Sequence, residues 1–457
     1  MSLKDEIYLK GSSMTADNCE SIALPYLLVL MNLPCHVTSN GRRYVDPLLA
    51  KDLVEHTRYL TRLSLATPCR FDQPPNRYVA TDTIPELSKI IWINLPAPQS
   101  MLQALWYLPS TMLTLWRQLG SARVVHSDVA SWPIPGAWLL APLLFFRPRF
   151  YLIIVESALW RLMPGFHYSW RKKLRSGITE YLNRACLLHV DLAFFTQDEY
   201  RRSLPPRYFE LGHVIHASWV DEAVILSQDE LLSSWQMKVA GGTKPLRIAF
   251  AGRLTEAKGV LVLLMAIEEL AAEGVPIELN ILGEGELQSS CREASSRMPQ
   301  WARIQLCESI PYGEHFFAWL RQAHFVIVPS VSDEQPRIVY DAYSQGLPVV
   351  ASRTAGLLDC VTDGLTGKLV PAGNHVALKE AIRWAADNPK ALAEMGISAA
   401  QRVRGMTHQL MHRTRLSVLN DALAKTKKLG LHLTKYRKPH EYVSPDLTDD
   451  NVGIKEE

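Results

Sequence analysis

Between residues 246 and 370 the chain alternates short continuous apolar runs with longer stretches in which apolar residues recur every three or four positions. LRIAFAG (246–252), FVIVPS (325–330) and LPVVAS (347–352) are such runs, and IELNILG (277–283), ARIQLCE (302–308) and GKLV (367–370), with polar residues set between apolar ones, read as further strands. Runs of this length suit strands covered on both faces. In GVLVLLMAIEELAAEG, Leu263, Leu264, Ile267, Leu270 and Ala271 keep helical spacing, and Gly274 ends the pattern. QSSCREASSRM, GEHFFAWLRQA and the stretch after Pro336 predict further helices, and two more follow near 375–387 and 390–403. Strand and helix in alternation mean βαβ units and a parallel sheet clothed in helices. Such a sheet takes its ligands at the carboxyl ends of its strands.

The first half is less regular. PYLLVLMN, SKIIWINL, SARVVHSD, FYLIIVES and HVDLAFFTQ predict strands, with helix-like stretches at 46–65 and 100–120 between them. This is again an α/β pattern. Small and polar residues break the rhythm at MKVAGGTKP (237–245). The expected division is therefore 1–240, 241–415, and a helix remnant with a polar tail at 416–457.

The length of 457 residues agrees with two domains rather than one core. A formal net charge of +3 is too small to make nucleic acid the expected partner. The seven cysteines are scattered, odd in number and never arranged as CxxC. They predict reduced core thiols in a cytoplasmic protein, with no structural zinc among them. MSLKDEIYLKGSSM lacks the apolar core of a secretory leader. The apolar stretches at 22–35 and 135–146 fall short of the roughly 20 residues needed to span a bilayer. ALWRLMPGFHYSWRKKLR (158–175) mixes aromatics with a basic cluster. Trp160–Arg175 is accordingly a candidate contact with an anionic membrane, against the plainer reading of a solvated basic helix with a core-facing aromatic stripe.

Four segments carry a family resemblance, in order: AGRLTEAKGVLVLLMAI (251–267), ILGEGEL (281–287), VPSVSDEQPRIVYDAYSQGLPVVAS (328–352) and AGLLDCVTDGLTGKLVPAGN (355–374). Together they resemble glycosyltransferase family 4, the group 1 glycosyl transferases of GT-B fold. That resemblance implies two Rossmann-like domains whose parallel sheets face each other across a cleft. It implies a retaining, metal-independent glycosyltransferase of the hexosyltransferase type, serving polysaccharide biosynthesis. A UDP- or GDP-sugar donor would sit on the second domain and a glycan or lipid-linked acceptor on the first. No cofactor or metal is expected, because side-chain cations can neutralise the donor diphosphate.

Arg253 and Lys258 lie just after a strand, at the ligand-binding edge, and the resemblance gives them the diphosphate. As plain surface cations near a helix start they would oppose its dipole. Pro336 suits a first helical position, leaving the N–H groups of Arg337, Ile338 and Val339 for a phosphate. Asp333 is placed to reach the sugar hydroxyls, with Glu334 beside it able to substitute, and Asp341 to accept from the ribose. A dipole-complementing role would also explain Asp333 and Glu334, though not Asp341. The family has Glu at both ends of this block and often at the position of Asp359, so the shorter acids bear on the identity of the sugar. Gly283 and Gly285 permit a tight turn and close approach to base or ribose, or form an ordinary strand-to-helix turn. Gly356, Gly364 and Gly367 are read as turn formers. In the first half, His126 and Glu156 stand at predicted strand ends, where the family places a histidine or an acid facing the reacting sugar. A histidine alone is as often structural. The competing readings are a catalytically silent nucleotide-sugar-binding protein and a GT-B phosphorylase or epimerase. A dinucleotide-dependent oxidoreductase is disfavoured by the lack of a GxGxxG turn.

Overall fold

The structure, a computed structural model, describes residues 21–131, 133–162, 167–240, 245–307, 309–331 and 336–428. Asp333 and Glu334, Cys19 and the expected tail beyond 428 therefore lie outside the described residues, as does part of the basic aromatic stretch.

Two sheets divide the chain. The first contains β1 (Tyr26–Val29), β2 (Cys35–Val37), β3 (Arg43–Val45), β4 (Leu63–Arg70), β5 (Val79–Ala80), β6 (Ile91–Leu95), β7 (Val124–Asp128), β8 (Phe150–Val155), β9 (Leu192–Phe195) and β10 (Gly212–Val214). Their order is β10-β9-β8-β7-β1-β4-β2-β3-β5, with β6 paired to β4. The β2–β3 and β3–β5 pairs are antiparallel and the others parallel. Helices α1 (Pro47–Tyr59), α2 (Met101–Gln118), α3 (Gly136–Phe146), α4 (Trp170–Leu187) and α5 (Asp198–Ser203) connect these strands. The central β4 was not expected as a strand: the stretch read as helical at 46–65 runs into it, whereas the helix ends at Tyr59, and LSLATPCR carries Pro68. Proline normally argues against a central strand. Here β4 nonetheless pairs with β1 on one side and β6 on the other.

The second sheet contains β11 (Leu246–Ala251), β12 (Ile277–Leu282), β13 (Ala302–Cys307), β14 (Phe325–Val328), β15 (Val349–Ser352) and β16 (Gly367–Val370), ordered β13-β12-β11-β14-β15-β16 and parallel throughout. Before it comes α6 (Gln228–Ala240); within and after it come α7 (Val260–Ala272), α8 (Gln288–Ser296), α9 (Glu314–Arg321), α10 (Ile338–Ser344), α11 (Ala355–Cys360), α12 (His375–Asp387) and α13 (Pro389–Val403). Buried Leu, Ile, Val and Phe from both faces of the sheet fill two apolar clusters. Two expectations change. Gly356 lies inside α11, buried, and not in a turn. The domain boundary falls before 240, since α6 already belongs to the second domain: Trp235 is buried in that core and its indole N–H donates to the Gly346 carbonyl at 2.9 Å.

The last described helix, α14 (His408–Lys428), returns to the first domain. Met411, Leu416 and Leu419 join a buried cluster with Tyr26, Leu28 and Leu53. The chain thus crosses between domains twice, and the crossings are bonded to each other. The His408 N–H donates to the Val220 carbonyl at 2.8 Å, and the Gln409 side-chain amide to the Asp221 carboxylate at 2.8 Å. The segment assigned to a helix remnant from 416 onward is the body of this docking helix.

Candidate active site

A cavity of about 360 Å³ opens at the carboxyl edge of the second sheet. Its lining joins the loop after β11 (Gly252, Arg253, Lys258), the end of β14 (Val328, Ser330), the approach to α10 (Pro336, Arg337, Ile338, Asp341) and the aromatics Tyr312 and Phe316. Leu48 of α1 and Trp219 of the first crossing close it from the other side. The volume falls within the usual range for small-molecule sites.

The loop geometry follows from glycine. Gly259 ends the turn that carries Lys258, at φ +71°, and a Cβ there would sit 1.8 Å from the Pro329 carbonyl oxygen. Only a residue without a side chain lets the Lys258 turn lie against the end of β14, where the Val331 N–H also donates to the Ala257 carbonyl at 3.0 Å. Gly283 does the same for the neighbouring loop: a Cβ would lie 1.9 Å from the Gly252 carbonyl oxygen. The Leu254 N–H donates to Glu284 at 2.8 Å and the Leu287 N–H to Leu254 at 3.0 Å. Gly283 and Gly285 are thus occupied in bringing two loops of the protein together, and neither lines the cavity.

Asp341 is buried and accepts a hydrogen bond from the Tyr312 hydroxyl at 2.8 Å. Burial pushes its carboxyl up to about 6, against the opposing pull of Tyr312, Arg337 and Lys51. Burial, reinforced by Asp341, likewise pushes the Tyr312 hydroxyl well above its usual range, so it stays a donor. The Arg337 guanidinium lies 5.2 Å from the Trp219 ring centre. From the first domain, the Lys51 ammonium donates to the Trp219 carbonyl at 2.6 Å and to Asp221 at 2.7 Å, holding the crossing in place beside the cavity. Arg253, Lys258 and Arg337 thereby bring three cations to one concavity.

The expected row of free N–H groups is shorter than the sequence suggests. Helix α10 begins at Ile338 with Arg337 as its N-cap, so Pro336 stands one residue before the cap and outside the helix. The Val339 N–H donates to the Pro336 carbonyl at 3.2 Å, and its side chain is buried in the core. Arg337 and Ile338 line the cavity; Val339 does not.

On the first domain, His126 is not at the strand end. It is buried within β7, its Nδ1 3.0 Å from the Tyr26 hydroxyl, among residues of α1 and α14. Burial, with His56 and Arg415 nearby, holds its pKa well below the usual histidine range. The true end of β7 is Asp128, which accepts from the Ser131 hydroxyl and is raised to about 6 by burial, with Glu156 adding to the effect. Glu156 is exposed after β8. Neither His126 nor Glu156 lines the cavity. Asp359 is also engaged, its carboxylate accepting the Asp198 N–H at 2.9 Å, second domain to first. Sequence reasoning did not single out Leu48, Trp219, Tyr312 or Phe316. The available signal was Trp219 in HASWVD, an aromatic residue in a polar connection between domains.

Residues 245–388 match the family described as Glycosyl transferases group 1. A D-inositol 3-phosphate glycosyltransferase of Corynebacterium glutamicum is 28% identical over 183 residues, 39% of this chain and 44% of that protein. The enzyme of the same name from Pseudarthrobacter chlorophenolicus is 31% identical over 161 residues, 34% of this chain and 38% of its own length. The alignments therefore span less than half of these relatives. Among solved structures, sucrose-phosphate synthase of Thermosynechococcus elongatus superposes with a TM-score of 0.65 at 15% identity, covering 88% of this chain and 100% of that one. HepE of Anabaena, solved in complex with UDP, gives a TM-score of 0.59 at 15% identity with the same coverage. The chain has the GT-B fold of two Rossmann-like domains, and its second domain carries the sequence of the group 1 glycosyltransferases.

Proposed function

We propose that the protein is a retaining glycosyltransferase that moves a sugar from a UDP- or GDP-sugar to a glycan or lipid-linked acceptor between its domains. The observation that carries this reading is the gathering of Arg253, Lys258 and Arg337 with the buried Asp341 in one cavity at the carboxyl edge of the second sheet. The group 1 family match and the UDP complex of HepE support it. Breaking the bond between the sugar's anomeric carbon and the phosphate sends an electron pair to the diphosphate. Fixed cations stabilise that charge without reorganising. The acceptor hydroxyl attacks from the same face, and its proton passes to the departing phosphate oxygen. Asp341, with Tyr312 already hydrogen-bonded to it, is placed to accept from a ribose hydroxyl. The side-chain cations are the proposed counter-charge, with no metal assigned to this step.

Calorimetry with UDP, GDP and ADP tests the donor half of the proposal, because a ligand that binds only the folded form also raises its melting temperature. One diphosphate should bind, and Lys258→Ala should weaken it at least tenfold while the apo protein melts unchanged. Equal affinity in the variant would remove Lys258 from the site. Donor hydrolysis, or transfer to a lipid extract, separates a transferase from a silent binder.

We further propose that the first domain works against an anionic membrane, at the cytoplasmic face. No helix among the described residues is long and apolar enough to cross one. The expected contact at Trp160–Arg175 is partly structural. Trp160 and Arg161 both donate to Glu180. Trp170, at 68% exposure, and the cations of α4 stay outward. The larger surface lies beside it on α2 and α3, where Leu102 is 80%, Trp106 82% and Phe146 71% exposed.

A further inference from the structure

We propose that Asp52, His56, His408 and His412 form a buried site for a divalent transition metal, with zinc the best match, at the point where α14 is fastened to α1. The inference does not depend on the glycosyltransferase reading.

Asp52 and His56 are four residues apart on α1, and His408 and His412 are four apart on α14. Residues at that spacing share one helix face. The two helices bring these faces together. Asp52 Oδ1 lies 3.0 Å from His412 Nε2 and 3.5 Å from His408 Nε2. Asp52, His56 and His412 each offer one ligand atom within 4.8 Å of the other two. A tetrahedral ion with bonds of about 2.0–2.1 Å requires its ligand atoms to stand roughly 3.3 Å apart. Asp52 and His412 already stand at about that distance; the wider spacings to His56 would have to close around the ion, and His408 would join through its Nε2, 3.5 Å from the same Asp52 oxygen.

Two further observations point to a ligand. His408 is fully buried, and neither of its ring nitrogens has a hydrogen-bond partner among the described residues. It stacks on Trp219, ring centres 5.2 Å apart and planes 14° apart, which fixes the ring while its Nε2 faces the Asp52 carboxylate. A buried imidazole facing a carboxylate at 3.5 Å, outside hydrogen-bond geometry, is poorly satisfied, and a metal shared with that carboxylate would satisfy it. The supporting shell is also present. His412 Nδ1 lies 3.1 Å from the Tyr59 hydroxyl, leaving Nε2 for the ion, and His56 Nδ1 lies 2.9 Å from the Asp52 carbonyl. Ligating histidines are oriented in this way by their second nitrogen. Three imidazoles and one carboxylate favour zinc or a neighbouring late transition metal over calcium or magnesium. The cysteines take no part, so cysteine spacing gave no sign of the site.

The ion would clamp both crossings at once, since Trp219 belongs to the first and His408 to the second. Its role is structural: none of the four residues lines the donor cavity.

The test uses the full chain without an affinity tag, stripped with a chelator and titrated with Zn²⁺ by calorimetry and with Co²⁺ by visible absorption. One ion per chain, an intense tetrahedral Co²⁺ spectrum and a raised melting temperature are expected. His412→Gln and His408→Gln should each weaken Zn²⁺ binding at least a hundredfold, whereas His375→Gln, on α12 of the second domain, should leave it unchanged. Should either of those variants misfold, Asp52→Asn gives the same readout with a near-isosteric side chain. Absence of stoichiometric binding by the stripped wild-type chain, or binding that survives all three ligand substitutions, overturns the assignment.

Discussion

Asp341 shows how much a single buried side chain decides. Its carboxyl is raised from 3.8 to about 6, with burial as the main cause. A group raised in the folded state holds its proton there after the unfolded chain has lost its own. The stability linked to that proton is full below about pH 3.8 and is lost as pH rises through 6. Asp341→Asn carries no such charge and keeps an oxygen for the Tyr312 hydroxyl. The variant should therefore be more stable than the parent at pH 8, by on the order of 2 kcal/mol. The difference should vanish by pH 4. Denaturant melts at both pH values measure it, and a gap independent of pH would refute the burial argument. Gly283 offers a steric counterpart. A Cβ 1.9 Å from a carbonyl oxygen has no flexible partner to displace, so Gly283→Ala should cost more than about 2 kcal/mol. At Gly41, φ +80°, nothing lies within 4 Å of the added carbon. Gly41→Ala should cost only about 1 kcal/mol of backbone strain.

At the scale of elements, the second domain was legible because its strands are buried on both faces. FVIV and VVAS read as unbroken apolar runs, IELNIL keeps its apolar residues on alternate positions, and the helices between them keep a clear period. The donor cavity was legible for the same reason: a strand end followed by Arg253 and Lys258 states where the carboxyl edge is. The first domain resisted. Its β2, β3 and β5 are two or three residues long, too short to show a period, and Pro68 disguises β4. His126 could not be placed because its partners come from α1 and α14, far apart in sequence. Helix α14 itself gave no domain address, since its apolar residues face another domain. That docking can be measured. Leu416 and Leu419 are 3% exposed against the first domain, so replacing either with Ala should cost about 2–4 kcal/mol. The loss should appear in hydrogen exchange of α1 and β1 before it appears in β11 or β12. Uniform loss across both domains would mean that α14 fastens them into one cooperative unit.

At the scale of the molecule, charge and apolar surface are distributed unevenly, and this gives the membrane proposal its test. From 90 to 116 the sequence has no charged residue, yet α2 within it presents Leu102, Leu105, Trp106 and Leu113 outward. Between 99 and 175 there are nine lysines and arginines against two acids, on a chain whose formal net charge is only +3. A monomer rarely leaves such a face bare in water. An anionic bilayer matches it on two counts, taking the aromatic and aliphatic side chains into its interface while its headgroups meet the cations. Vesicles of mixed neutral and anionic phospholipid should therefore sediment the protein, and neutral vesicles should do so weakly. Leu102→Gln with Trp106→Gln should reduce binding about tenfold without lowering the melting temperature, because both side chains are more than three-quarters exposed. Reversing Arg171, Lys172 and Lys173 to Glu should remove the dependence on anionic lipid, each lost cation near the surface counting for about 1 kcal/mol. The two sets act through different forces, so salt distinguishes them: 0.5 M salt should mimic the charge reversal and leave the contribution of Trp106 in place. If the glutamine pair binds vesicles like the parent, the exposed face of α2 serves some other contact.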